Sequence, residues 1–148
     1  MPEARVYNSA NINLPTSGAT VVLTFNSERT DNDGMHSTSS NTNRITCTTP
    51  GLYHIGSNVN FPFVAGTTAR TVIMYHTNAA NTVTTPIAVE NVLSTAGNTI
   101  VSVNTVYRCT AGEFFTVAVQ QHSAGAMNPG VTAISNYSPE FYAARLGP

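Results

Sequence analysis

In segment after segment, this chain alternates apolar and polar residues with a period of two, and no helical stripe lasts beyond about two turns. The alternating runs are ARVYN (4–8), ATVVLTF (19–25), RITCT (44–48), LYHIGSNVNF (52–61), RTVIMYHT (70–77), TIVSVNTVYRC (99–109), EFFTVAVQQH (113–122) and EFYAARL (140–146). A shorter one covers 84–89. Thr, Val, Ile, Tyr and Phe fill them, residues that suit a pleated, half-buried surface. Turn chemistry separates them at Pro15 to Gly18, Asp33-Gly34, Pro50-Gly51, Gly66, Gly97-Asn98, Ala111-Gly112 and Pro129-Gly130. Many short strands at this spacing predict one all-β domain over 1–148, an antiparallel sandwich or jelly roll, with residues 1–3 flexible.

Charge is scarce. Only 9% of residues are charged, every basic one is Arg, and the formal net charge is −1. Thr, Asn and Ser supply the polarity instead. A surface of that kind has no long-range field to attract nucleic acid or an anionic membrane, so neither is expected as a partner. The opening MPEARVYNSANINLP lacks a signal-peptide pattern, and no run nears the roughly 18 apolar residues that span a bilayer. A soluble product, initially cytoplasmic, is the expectation.

Side-chain parity bears on assembly. In 52–61, Tyr53, Ile55, Val59 and Phe61 share one face, while Leu52, His54, Asn58 and Asn60 share the other. Phe115, Val117 and Val119 alternate with Phe114, Thr116 and Ala118. The terminal run sets Tyr142, Ala144 and Leu146 against Phe141 and Ala143, apolar on both sides. A sheet in a monomeric sandwich is usually polar outside. Two-sided strands therefore predict a sheet that covers its own core and also meets another subunit. Two corners, ITCTTPGLYHI and YRCTAGEFFTV, read as one strand–turn–strand unit used twice.

In order and spacing, Pro50-Gly51-Leu52-Tyr53, the Ala111-Gly112-Glu113-Phe114-Phe115 corner and the stretch Asn136-Tyr137-Ser138-Pro139-Glu140-Phe141 resemble the trimeric jelly-roll superfamily of tumour necrosis factor and the complement globular head. FNSERTDNDGMHS looks like the matching segment of short bacterial and phage members. The resemblance implies a compact homotrimer, with the sheet of the terminal strands around the threefold axis. It also implies a virion role on the phage head, as capsid cement or decoration protein, with the major capsid protein or another virion protein as partner. A receptor-binding tip or adhesin that reads host glycan, and a cellular trimeric module, are the alternatives. The interface expected on this basis comprises Leu52, His54, Phe114, Thr116, Ala118, Tyr142 and Ala144.

Chemistry-bearing residues are few. Asp31, Asp33 and His36 suggest a metal loop, yet counting from Asp31 places Gly at position four and Thr42 at position twelve. A helix–loop–helix calcium site needs Gly at about six and a bidentate Glu at about twelve, so the stretch reads as a turn. His54, on the strand the resemblance sets beside the threefold axis, reads as an interface imidazole. Three converging copies would bind a metal or respond to pH. Cys47 and Cys109 share parity with apolar neighbours and read as buried free thiols, a disulfide between them being disfavoured because the resemblance implies strands at opposite edges of one sheet. No Gly-x-Ser-x-Gly, HExxH or phosphate-cradling glycine loop occurs, so an enzyme is not expected, and no cofactor is. The Thr/Asn stretches 37–43 and 77–86 are candidate recognition loops, represented by Asp31, Asp33, His36, Thr38, Asn41, Asn78 and Asn81.

Overall fold

The computed structural model describes residues 1–10, 12–15, 18–65, 68–94, 96–123, 125–126 and 139–148. The expected turns at Gly66 and Pro129-Gly130, and the Asn136-Tyr137-Ser138 part of the third landmark, lie outside them. Ten strands are described: β1 (Glu3–Tyr7), β2 (Val21–Val22), β3 (Ser27–Asp31), β4 (Arg44–Thr46), β5 (Gly51–Phe61), β6 (Ala69–Thr77), β7 (Thr84–Leu93), β8 (Thr99–Cys109), β9 (Phe114–Gln121) and β10 (Glu140–Gly147). They form a jelly-roll sandwich of two antiparallel sheets. The first runs β3-β1-β10-β5-β8; the second runs β2-β9-β6-β7, with β4 also on β9.

Alternation in the sequence becomes an apolar cluster between the sheets. Tyr53, Ile55, Val59 and Phe61 of β5, Phe141 and Ala143 of β10, and Phe115, Val117 and Val119 of β9 are fully buried. Phe25 and Phe141 meet with ring centroids 5.5 Å apart. Each fully buried large apolar side chain contributes about 1.5–3 kcal/mol relative to exposure, which is why the inward parity is so regular. Tyr53 joins this core through its ring and keeps its polar tip satisfied by donating to the Thr49 carbonyl at 2.5 Å.

Two stretches differ from the sequence expectation for a shared reason. Residues 19–25 form a strand only at Val21–Val22, because β9 gives half its edge to β2, opposite Val119 and Ala118, and half to β4, opposite Thr116 to Phe114. Between them the chain leaves the second sheet and adds β3 to β1. Leu23 and Phe25 still bury their side chains on the way. β3 itself, SERTD, carries no apolar residue to betray it. It is an edge strand held by backbone pairing.

Candidate functional site

The outer face of the first sheet is built from residues that face away from the core on β1, β10, β5 and β8. Backbone register sets Arg5, Tyr142, Gly56 and Asn104 in one row, and Glu3, Ala144, His54 and Val106 in the next. His54 meets the Tyr142 ring edge-on, centroids 5.5 Å apart. Ile100, Val106 and Leu146 are about half exposed, at 55%, 49% and 53%. A groove of about 520 Å³ crosses this face, bounded by Glu3, Arg5, Thr30, Asn58, Tyr142 and Ala144. At its margin the carboxylate of Glu140, with only 4% of its side chain exposed, is shared between Arg5 and Arg29. The Arg5 Nε donates at 2.9 Å. Arg29 also lies over the Tyr7 ring, 4.5 Å from its centroid. The single carboxylate thus offsets one of the two guanidinium charges on this margin.

Of the seven residues expected at one interface, the structure groups Leu52, His54, Tyr142 and Ala144 on that face. Phe114, Thr116 and Ala118 are a correction. Their strand, β9, belongs to the second sheet, so they face outward on the opposite side of the sandwich. Parity had put them correctly away from the core. It carries no information about which sheet a strand joins, and that is where the expectation failed. Gly56 and the Arg5–Glu140–Arg29 cluster were not singled out in the sequence. A glycine inside a strand is itself a signal of close approach, and here Tyr142 fills the space that a side chain at 56 would take.

The loop of Asp31, Asp33 and His36 is internally satisfied. Asp31 accepts from the amides of Asp33 at 3.3 Å, Met35 at 3.0 Å and His36 at 2.9 Å. Asp33 instead accepts from the hydroxyls of Thr48 and Thr49. The two carboxylates therefore serve different donors, as a turn requires. The His36 ring is enclosed, with Nδ1 2.9 Å from Glu28 and Nε2 3.3 Å from the Thr42 carbonyl. Asn41 and Asn81 adopt positive φ of 50° and 55°, which Asn tolerates. Asn78 accepts from the amides of Thr82 at 2.8 Å and Val83 at 3.1 Å. These asparagines shape their loops first. Thr38 is exposed.

One end of the sandwich is closed by a bond that the sequence reading did not favour. Cys47 and Cys109 are both fully buried, and they form a disulfide with Cα atoms 6.4 Å apart. The expectation of free thiols is thereby corrected. Cys47 follows β4 on the second sheet and Cys109 ends β8 on the first, and the two similar corners abut: Cys47 N–H donates to Glu113 O at 2.8 Å, and Gly112 N–H to Cys47 O at 2.9 Å. Cys109 Sγ also lies near His76 and Glu113 in a grouping of metal-ligand type. Its sulfur is committed to Cys47 and offers no thiolate, so the set does not make a thiolate metal centre. His76 Nε2 and Glu113 Oε2 are 3.2 Å apart, an ion-pair separation without hydrogen-bond geometry at the imidazole. Burial raises the Glu113 carboxyl, but the Thr110 amide, donating at 2.7 Å, and the His76 ring outweigh it and hold the group below its ordinary value.

No protein-family model matches the chain, and no curated protein matches it in sequence. Solved structures do. The globular domain of a zebrafish complement 1qA protein superposes with TM-score 0.69 at 13% identity, covering 99% of this chain and 98% of that one. Murine APRIL, in a crystal structure at pH 5.0, superposes with TM-score 0.73 at 8% identity, covering 98% of each chain. The fold is therefore the tumour-necrosis-factor and complement-head jelly roll.

Proposed function

We propose that the protein is a non-enzymatic homotrimer that packs copy against copy through the outer face of its first sheet and serves as a capsid cement or decoration protein on a phage head. The observation that carries the self-association is the row of Ala144, His54 and Val106 beside Tyr142 over Gly56, with Ile100 and Leu146 left half exposed. Small and apolar groups on a sheet's outward side are the composition of an obligate interface rather than of a solvated face. Obligate interfaces commonly bury about 2,000 Å² or more, a scale that a five-stranded face can supply. The cement role rests on the resemblance to stand-alone phage members. A disulfide-closed sandwich suits a particle surface that meets oxidising surroundings.

Sedimentation tests the assembly. Wild type should run as a trimer, and Ala144→Arg as a monomer, since it would drive a long charged side chain into the face where the copies pack. Val89→Arg, on the exposed rim of the second sheet, should stay trimeric. A wild-type monomer at micromolar concentration overturns the reading. Labelling intact particles then tests the role: signal spread over the head fits cement, and signal confined to the tail fits a receptor-binding tip.

A further inference from the structure

We infer that the outer face of the second sheet carries a saccharide-binding groove that takes neutral pyranose units of a surface glycan. The groove holds about 320 Å³ and lies where β9, β6 and the start of β7 run side by side. Register builds its floor: Thr116 is paired with Tyr75, and Thr77 lies between Phe114 and Thr84. Asn81 reaches its rim from the β6–β7 turn.

The lining is uncharged throughout. Thr84 presents an exposed hydroxyl, held in place by the hydroxyl of the buried Thr77 at 3.0 Å, and can exchange hydrogen bonds with a sugar hydroxyl. Tyr75 is half-buried and lines the groove. Phe114 is covered by the Arg44 guanidinium, 4.5 Å from its ring centroid, and is 6% exposed, so Tyr75 supplies the accessible aromatic surface.

The chemistry of that lining selects its ligand. A pyranose presents an apolar C–H face together with a ring of neutral hydroxyls, and it needs one aromatic surface plus short, fixed polar groups. Threonines on paired strands are stiff at χ1, so little entropy is lost when they bind. A metal would need carboxylates, which the lining lacks, and the Arg44 guanidinium at the groove's edge lies on the Phe114 ring rather than turned to a phosphate. Its volume sits at the small end of the ~300–1,000 Å³ range of ligand pockets, enough for one or two sugar residues. The face lies across the sandwich from the one assigned to self-association, so the inference stands without the trimer. In a trimer, three grooves would act together and strengthen weak single contacts.

Amide shifts of deuterated, ¹⁵N-labelled protein test the site, with the methyl glycosides of glucose, galactose, mannose and N-acetylglucosamine each titrated to about 50 mM, well above a millimolar Kd. At least one should shift Tyr75, Thr77, Thr84 and Thr116 while leaving His54 and Tyr142 in place. Thr84→Glu changes an exposed position at the start of a strand, so it should fold and weaken binding about tenfold or more. Tyr75→Phe, which removes only the hydroxyl, should weaken it a few-fold. The inference fails if none of these glycosides shifts the groove amides, if the shifts fall elsewhere, or if Thr84→Glu binds as wild type does.

Discussion

Tyr142 of β10 occupies the space that a side chain at Gly56 of β5 would need, directly across the strand pair. A Cβ at 56 would overlap the phenol oxygen and the adjoining ring carbons. The glycine lets the aromatic ring lie close to the sheet and keeps this face low enough for another copy to approach.

Gly56→Ala should therefore cost about 1–3 kcal/mol, the range for overpacking a filled site. It should also push Tyr142 outward and weaken association. Thermal melts with sedimentation measure both effects, and in Gly56→Ala/Tyr142→Ala the association should stay weak while the monomer regains stability. An unchanged melting temperature for Gly56→Ala would mean that the ring does not rest there.

The disulfide closes a 62-residue separation, for which loop-closure entropy gives about 4 kcal/mol. Reduction, or Cys47→Ser/Cys109→Ser, should lower the denaturation midpoint accordingly. Thiol titration of unfolded, unreduced protein should find no free sulfhydryl.

Acid should destabilise the disulfide end. The Glu113 carboxyl is held below its usual 4.5, burial raising it but the Thr110 and His76 contacts outweighing that. A depressed folded value contributes stability that is present above about pH 4.5 and is lost as pH falls through the folded value. Glu113→Gln should flatten the fall in melting temperature between about pH 5 and pH 3. Tyr53 acts with the opposite sign: burial, reinforced by Asp33, raises its phenol against the lowering pull of Arg145 and Thr49. Its contribution is complete below pH 10.0 and is lost as pH climbs through the raised value.

Asp31 organises its turn by accepting three amides, so Asp31→Ala should cost about 1–3 kcal/mol through unpaired donors. Chelators should leave the wild-type melting temperature unchanged. A calcium-dependent rise lost in Asp33→Ala would overturn the turn assignment.

Much of this architecture was legible residue by residue. Phe115 and Val117 point inward, Tyr142 and Ala144 outward, as their spacing required, because a pleated strand sends successive side chains to opposite faces whatever its surroundings. The 99–109 strand has the bounds that its alternation marks. β3 stayed hidden because an edge strand of polar residues has no hydrophobic contrast to read. The Asp31 turn was legible from its Asn and Gly content, but not the three amides that its carboxylate collects.

Alternation of residue type, then, determined from the sequence alone which side of each strand meets the core, and with it the sandwich. Tertiary structure alone decided the partners: that β9 lies in the sheet opposite β5 and β10, separating Thr116 from His54, and that the corners holding Cys47 and Cys109 abut. Parity repeats every two residues and is written locally. Sheet membership and sulfur pairing join residues far apart along the chain, and only packing the whole core selects among such pairings.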